Sequence, residues 1–389
     1  MIEPLLLIAL YVITVTVLCL VVQRLPLLAP EAMHRVSTVD GLRGALATAI
    51  IVPHFAVTYF WHTGGHWQNS PSRLINNIGV VPVELFFMIT GYLFTRRILK
   101  GTPRWGDILT ARLWRIYPMY LVSVALVLAI SIYQVGGLQE TWSATLQALG
   151  RWVIFIGAPL NGLPESIRIN ATVQWTLLYE AMFYLSLPVL YCLLRLRRPG
   201  IACLVAVLAL ACLWPEYQQH FHTRFLRLFA PGIVVALLED RLRRTSINFA
   251  GWRCTLVAIA FLLASLALKS YSKLQVLLVV VPFALFVLGN SLNGLLENRG
   301  LKILGEISFS LYLLHGMVLY CLFSVFSVFD FGAGSFRDYA FYLPLVMVLA
   351  CGLSVATYWG VERPFMLMGQ KRRKPAALAQ VSGVGESRG

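Results

Sequence analysis

The sequence predicts an all-α membrane protein that crosses the bilayer many times, and two observations lead to this fold class. Hydrophobic residues make up 58% of the 389 residues and charged residues only 13%, whereas charged residues form about 25% of an ordinary soluble domain. The apolar residues occur in runs of roughly 20, the length of an α-helix that spans the hydrocarbon core of a bilayer. A soluble globular fold is therefore excluded, and the lipid bilayer is the first expected partner.

Eleven apolar runs are predicted as membrane-spanning helices: 4–23, 43–60, 78–95, 117–135, 175–194, 199–214, 224–240, 250–268, 274–290, 308–329 and 340–361. A twelfth run, 142–160, contains Arg151, and we interpret it as a re-entrant or interfacial segment on the outer side. The first run lacks the basic flank of a signal peptide, so residues 1–30 are predicted to be an uncleaved anchor. Residues 37–365 form the main membrane domain, and 366–389 a basic, disordered cytoplasmic tail.

The net charge of +15 is explained by membrane topology rather than by nucleic-acid binding. With the eleven spans above, 24 of the 32 Lys and Arg residues fall in one set of loops and the C-terminal tail, and eight in the opposite set. Such a bias is the positive-inside signal. It places the amino end outside and the tail in the cytoplasm, and we expect no nucleic acid as a partner.

Ionisable side chains within the apolar runs are the first functional candidates, because each costs about 2.5–3.5 kcal/mol at the centre of a membrane helix. Arg43 and His54, in "VDGLRGALATAIIVPHF", are eleven residues apart. On an α-helix this spacing places both on one face, roughly 16 Å apart along the axis. Two structural alternatives stay open: a core histidine bonded to neighbouring groups, and an arginine that snorkels to the interface.

Three further ionisable residues lie within apolar runs. They are Glu84 in "VPVELFFMITGYLF", Glu180 in "TVQWTLLYEAMFYLSLP" and His315 in "GEISFSLYLLHGMVL". Glu84 is suited to orient an imidazole or to bind hydroxyls, or alternatively to form an interhelical hydrogen bond. For His315, structure and function are equally good interpretations. Glu362 and Arg363, in the closing "VERPF", are interpreted as an interfacial ion pair that contributes little.

Arg112 and Arg115, in "RLWRIYP", stand three residues apart and share one helical face. Arginines at the end of a membrane helix suit phosphate groups, either of lipids or of a phosphorylated cofactor. The seven cysteines show no C-x-x-C pair, so we expect no metal site.

Five of these segments, in this order, resemble acyltransferase family 3. They are "DGLRG" with its following histidine, "VELFFMITGYLF", "RLWRIYP", "WTLLYEAMFYL", and "GEISFSLYLLH" with the closing "VERPF". The family comprises bacterial integral-membrane acyltransferases, among them O-antigen, exopolysaccharide and nodulation-factor O-acetylases. The resemblance covers about residues 40 to 365, nearly the whole chain. Thr90–Gly91 departs mildly from the family, where Ser–Gly is commoner.

The resemblance implies a ten-helix bundle in the bacterial inner membrane, to which this chain adds one N-terminal transmembrane helix. It implies an O-acyltransferase that moves an acyl group, usually acetyl, from cytoplasmic acyl-CoA to a hydroxyl of a cell-surface carbohydrate. His54 and Arg43, with Glu84 and Glu180, are the implied catalytic residues. Arg43, Arg112 and Arg115 are implied to bind the donor.

Two other classes of function remain open from the sequence. One is a secondary transporter in which His54, Glu84 and Glu180 relay protons; it predicts inverted repeats between the two halves, and none is evident. The other is a non-catalytic membrane scaffold, which would tolerate the loss of His54.

Reporter fusions test the predicted topology. A reporter after residue 389 is expected to behave as cytoplasmic and one at the amino end as periplasmic, because the more basic loops stay inside. A tag beside Gly162 should react with a membrane-impermeant label on intact cells, while a control tag beside Gly101 should not. If the Gly162 tag reacts only after the inner membrane is permeabilised, residues 142–160 cross the membrane.

Overall fold

Helices account for most of the chain described by the computed structural model, which covers residues 2–24, 38–101, 103–195 and 200–371. Within these ranges the backbone forms no β-sheet. The tail predicted to be disordered from 366 is helical up to residue 371, and its remainder lies outside the described residues from 372 onward. The α-helices are α1 (Ile2–Val22), α2 (Thr38–Ala49), α3 (Ile51–Gly64), α4 (Arg73–Lys100), α5 (Trp105–Val135), α6 (Trp142–Val153), α7 (Trp175–Arg195), α8 (Ile201–Tyr217), α9 (Thr223–Leu226), α10 (Ala230–Leu242), α11 (Trp252–Leu266), α12 (Lys273–Val287), α13 (Arg299–Glu306), α14 (Ser308–Tyr320), α15 (Phe336–Ala340), α16 (Leu343–Thr357) and α17 (Arg363–Lys371).

Short turns of other helical types complete these elements. Two five-residue π-helical turns, Cys321–Val325 and Tyr358–Glu362, directly follow α14 and α16. Two 3₁₀ turns, Pro164–Arg168 and Leu295–Glu297, lie in connecting segments.

The described residues contain seven helical segments long and apolar enough to cross a membrane. Three shorter apolar helices, α8, α11 and α12, coincide with the predicted runs 199–214, 250–268 and 274–290. The all-helical, polytopic class is therefore confirmed, while the arrangement of eleven spans stays a prediction. The seven segments are Glu3–Val22, Thr38–Gly64, Arg73–Lys100, Trp105–Val135, Trp175–Arg195, Ser308–Val325 and Phe336–Gln370.

The predicted run 224–240 is wrong as a single helix. The four-residue α9 ends at Leu226, a turn follows, and α10 begins only at Ala230. Pro231 explains the new start, because its fixed φ and missing N–H suit the first turn of a helix. Gly232 then lets α10 approach the backbone of α4 at Met88, where a Cβ would clash with the carbonyl oxygen.

The twelfth run, 142–160, contains a helix too short to span a bilayer. Its twelve residues form α6, which at 1.5 Å per residue is about 18 Å long, against about 30 Å for the hydrocarbon core. Trp142 and Leu146 are exposed whereas Trp152 is fully buried. This amphipathic helix agrees with the interpretation of an interfacial segment.

The helix that carries Arg43 and His54 is interrupted between the two residues. Its first part, α2, ends at Ala49, and α3 begins at Ile51. Pro53 accounts for the break, because it has no N–H to donate to the carbonyl of Ala49. The single helix predicted to carry both residues is therefore divided into two consecutive helices that meet at Ile50.

Helices α2 and α13 pack with their backbones nearly in contact. A Cβ at Gly44 would clash with the carbonyl oxygen of Leu301, and one at Gly305 would clash with that of Asp40. Small residues permit this close approach of membrane helices. Because α14 directly follows α13, the contact also sets where α14 meets α2 and α3.

The N-terminal helix α1 packs against α13, α15 and α16. Tyr11 of α1 reaches α2, where its hydroxyl lies 3.2 Å from Thr48 Oγ1. Its residues Leu5, Val12 and Ile13 are exposed, as expected for a face that meets lipid. The additional helix therefore covers part of the α2–α13 pair.

We expect Gly44→Ala to destabilise the protein and Gly352→Ala to leave its stability unchanged or slightly raised. Both glycines lie inside helices, where alanine gains about 1 kcal/mol of helix propensity. A Cβ at Gly352 meets open space, whereas at Gly44 the overpacking costs about 1–3 kcal/mol. Thermal unfolding of both purified variants in detergent measures the difference. Equal melting temperatures would show that the α2–α13 contact is not tight.

Candidate active site

Four of the predicted site residues converge on one cleft. A cavity of about 150 Å³ between α2, α4, α5, α7 and α14 is lined by Arg43, Arg112, Arg115 and Glu180. These residues come from three different helices and are separated by up to 137 positions in the sequence. The remainder of the lining is largely aromatic and aliphatic, including Phe87 and Tyr312. The cleft is therefore an apolar slot with a cationic group of three arginines.

Arg43 is held in the cleft by α14. Its Nη2 donates a hydrogen bond to Ser308 Oγ at 2.9 Å. Ser308 is the first residue of α14, and the glycine contacts between α2 and α13 bring it within reach. The "DGLRG" pattern thus allows the close packing that positions its own arginine.

Arg112 and Arg115 enter the cleft from the first half of α5. The Arg112 guanidinium lies over the Phe94 ring, 4.8 Å from its centroid, and 5.6 Å from that of Tyr184. Stacking on aromatic rings orients a guanidinium without neutralising it. Among the ion pairs within the described residues, none involves Arg43, Arg112 or Arg115.

Glu180 is the carboxylate that lines this cleft. Its Oε2 accepts a hydrogen bond from the Tyr184 hydroxyl, one helical turn further along α7, at 2.8 Å. Tyr184 also lies beside Arg112. Glu180 and Tyr184 thus form a polar pair in the cleft lining, and Glu180 interacts electrostatically with all three arginines.

His54 pairs with a second histidine. Its Nδ1 lies 3.1 Å from Nε2 of His315, and the two ring centroids are 4.9 Å apart. His54 is partly buried and His315 is fully buried. Sequence analysis singled out both histidines but did not predict that they are in contact.

Along their helices, His54 and His315 stand between the residues that line two different cavities, and neither ring lines either cavity. On α14, Ser308 and Tyr312 line the large cleft, whereas Gly316 and Tyr320 line a smaller cavity of about 10 Å³. His315 lies between these two sets. On α2 and α3 the order is the same: Arg43 lines the cleft, His54 follows, and Thr58 and Trp61 line the small cavity.

Aromatic rings and one arginine surround the small cavity. Trp61 and Trp67 lie edge to face with centroids 5.3 Å apart, and Tyr320 stacks on Trp61 at 6.2 Å. The Arg168 guanidinium lies over the Trp61 ring, 5.1 Å from its centroid. Rings with polar neighbours give a surface that combines apolar faces with hydrogen-bond donors.

Glu84 lies apart from both the cleft lining and the histidine pair. It is fully buried in α4, and neither of its carboxyl oxygens has a hydrogen-bond partner among the described residues. The imidazole partner of His54 is His315 instead. Phe87, one turn along α4, does line the cleft.

The predicted ion pair of Glu362 and Arg363 is wrong. Glu362 is 1% exposed and accepts a hydrogen bond from Ser310 Oγ at 2.8 Å. The Arg363 guanidinium instead lies over the Trp359 ring, 4.3 Å from its centroid. Adjacent residues on a helix point in different directions, so Glu362 and Arg363 do not face each other.

With this geometry established, comparison with known proteins decides the family. The model of acyltransferase family 3, described as "Acyltransferase domain", matches residues 36–359. The chain belongs to this family. The protein is therefore an enzyme, an acyltransferase that transfers groups other than amino-acyl groups, and not a transporter or a scaffold.

Curated proteins similar to this acyltransferase support the assignment. "Acyltransferase MdmB" of Streptomyces mycarofaciens is 28% identical over 75% of this chain and 80% of its own length. "Exopolysaccharide production protein ExoZ" of Rhizobium meliloti (strain 1021) is 24% identical over 78% and 94%. "Nodulation protein 10" of Rhizobium leguminosarum bv. viciae is 26% identical over 62% and 72%. No solved structure matches the acyltransferase.

Proposed function

We propose that this acyltransferase moves an acetyl group from cytoplasmic acyl-CoA to a hydroxyl of a cell-surface carbohydrate at the outer face of the bacterial inner membrane. The observation that carries the proposal is that His54 and His315 contact each other and stand, along their helices, between the residues that line the two cavities, while neither ring is itself part of a cavity lining. In the proposed reaction one substrate approaches the histidines from each side of the membrane.

The large cleft suits the donor. Arg43, Arg112 and Arg115 line it without a carboxylate in ion-pair distance among the described residues, so they are available to phosphate groups. The three arginines lie at the ends of their segments that the predicted topology places towards the cytoplasm. The phosphates of CoA would bind there, while the narrow pantetheine arm extends along the apolar walls towards the histidines.

The small cavity suits the acceptor. Its aromatic rings present apolar faces and Arg168 a hydrogen-bond donor, a combination that suits a sugar ring with hydroxyls at its rim. The name of the relative ExoZ refers to exopolysaccharide production, which supports a carbohydrate as acceptor. The predicted topology places this cavity on the outer side.

The chemistry proposed for His54 has two routes. As a general base, it takes the proton of the acceptor hydroxyl while the oxygen attacks the thioester carbonyl. The C–S bond then breaks, and the proton passes to the departing thiolate to give free CoA. In the covalent route, a nitrogen of His54 attacks the thioester carbonyl and the C–S bond breaks to release the CoA thiolate; the acceptor oxygen then attacks the acetyl-histidine, the bond from nitrogen to the acetyl carbon breaks, and the hydroxyl proton passes to the thiolate. Both routes yield the same products.

The two carboxylates have separate proposed roles. Glu180 shares the cleft with the arginines and would orient Arg112 through Tyr184. Glu84 lines neither cavity, and its carboxyl group interacts electrostatically with Arg227, which supports the structural alternative for this residue.

Replacement of His54 by alanine is expected to abolish acetyl transfer without loss of the folded protein. A positioned general base or nucleophile contributes about 10²–10⁴ in rate, and no other group replaces it. Transfer of radiolabelled acetyl from acetyl-CoA to surface glycans in membranes measures the effect, with His66→Ala as the control because His66 is exposed. Transfer at the normal rate by His54→Ala would refute the catalytic role.

Arg115→Ala is expected to weaken donor binding before it affects chemistry. A charge-assisted contact of this kind contributes about 1.5–3 kcal/mol, so the acetyl-CoA requirement should rise roughly ten- to a hundredfold. Binding of acetyl-CoA to purified protein measures the change, and high donor concentration should restore part of the rate. The control is Arg97→Ala, an exposed arginine of the same basic region. Unchanged affinity in Arg115→Ala would assign this arginine to lipid contact.

A further inference from the structure

The contact between His54 and His315 involves specific nitrogen atoms. Nδ1 of His54 lies 3.1 Å from Nε2 of His315. Each ring also places its Nδ1 near the backbone carbonyl one turn earlier in its own helix. His54 Nδ1 is 3.0 Å from the carbonyl oxygen of Ile50, and His315 Nδ1 is 3.1 Å from that of Leu311.

These two carbonyls determine where the ring protons are. A carbonyl oxygen only accepts, so each Nδ1 carries a proton. His315 in its neutral form then has a bare Nε2, which shares the single Nδ1–H of His54 with the Ile50 carbonyl in a three-centre hydrogen bond. The opposite tautomers would set the lone pair of each Nδ1 against a carbonyl oxygen at hydrogen-bond distance. The lone pair of His54 is therefore on Nε2.

We propose that His315 is a positioning residue that holds His54 in the Nδ1–H tautomer and so makes Nε2 of His54 the reacting nitrogen. This inference rests on the proposed function and applies to both of its routes. His315 acts only through His54, since no substrate needs to contact it. Relative to His54, His315 has the position that the aspartate has relative to the histidine of a Ser-His-Asp triad.

In the general-base route, each proton at His54 has a defined origin and destination. Nε2 accepts the proton of the acceptor hydroxyl as the oxygen bonds to the thioester carbon, and the ring becomes an imidazolium. The Nδ1–H bond to His315 Nε2 strengthens as this charge develops. The Nδ1 proton stays on His54, because its transfer would leave a lone pair facing the Ile50 carbonyl. Nε2 then returns its proton to the thiolate that leaves.

A neutral partner suits a site within a membrane. A buried carboxylate would carry its charge through the whole catalytic cycle, and an ion in a medium of low dielectric constant costs several kcal/mol. Two neutral imidazoles avoid this cost until charge develops in the reaction. His315 still offers a lone pair at the required position, so it stabilises the imidazolium without a permanent charge in the core.

Contacts on either side of His315 fix the rotation of α14. Tyr312, one turn earlier, donates a hydrogen bond to the carbonyl of Val173 at 2.9 Å. Gly316 lies so close to the backbone of Asn170 and Ala171 that a Cβ would clash. With the helix held at both points, the His315 ring has little freedom to leave His54. Such support from fixed neighbours is what a preorganised site requires.

Two substitutions of His315 test whether its hydrogen-bond acceptor at Nε2, and not the size of its side chain, supports His54. Glutamine places its amide oxygen near the position of Nε2 and can accept from His54, whereas asparagine reaches only the position of Nδ1. We expect His315→Asn to lower kcat by about a hundredfold or more with the KM for acetyl-CoA unchanged, because His315 does not line the donor cleft. His315→Gln should recover most of the rate. Equal activity of the two variants, whether both high or both low, would overturn the inference.

Nitrogen NMR of the histidines provides a test that does not depend on activity. In ¹⁵N-histidine-labelled wild-type protein in nanodiscs, both rings should show a protonated Nδ1 and a bare Nε2, with signals assigned by their loss in His54→Gln and His315→Gln. A protonated Nε2 on His54 would overturn the inference. If the wild-type protein transfers no acetyl group at all, the proposed function fails instead, and the tautomers are still read from the spectrum.

Discussion

The close packing of α2 against α13 is the contact on which the rest of the site depends. Glycines 44 and 305 let the two backbones nearly touch, and α14 continues from α13 within two residues. Once this pair is fixed, Ser308 lies beside Arg43 and, two to three turns further along, His315 lies beside His54. A single helix–helix contact thus aligns the cationic end of the cleft with the histidine pair, and a shift of one helix by an ångström would disturb both.

Electrostatics then distinguishes the residues that stabilise the fold from those left available to a ligand. Glu239 accepts from Tyr92 and pairs with both Arg96 and Arg243, and Arg96 also pairs with Asp240. The two arginines are thus balanced by two carboxylates, and the cluster links α4 to α10. In the cleft, Arg43 donates to the Ser308 hydroxyl and Arg112 lies over aromatic rings. Glu180 and Glu362 interact electrostatically with Arg43 and Arg115, but no ion pair within the described residues includes these arginines.

Sequence alone could predict a large part of this arrangement, for reasons that are local. The spacing of Arg43 and His54 places them on one face, and the pair Arg112 and Arg115 follows from helical geometry, so their convergence with Glu180 was expected from the family pattern. The partner of His54 was not predictable, because it lies 261 residues away and depends on the rotation of α14. The interpretation of Glu362 and Arg363 as an ion pair is wrong because adjacent helical residues do not face each other, and the partner of Glu362, Ser310, lies 52 residues away.

The sequence does not reveal the rotation of α14 about its axis, but the packing of this helix determines it strongly. Of its thirteen residues, all except Phe309 are buried, so it has no face left for lipid and cannot turn without loss of packing on every side. Its polar side chains point in different directions: Ser308 contacts Arg43, Ser310 contacts Glu362, Tyr312 contacts Val173 and His315 contacts His54. Each of these contacts is satisfied at only one rotation of the helix. Burial on all sides, together with these hydrogen bonds, therefore fixes α14 in one orientation. A fixed helix is the condition for a histidine to act at a defined nitrogen within a membrane.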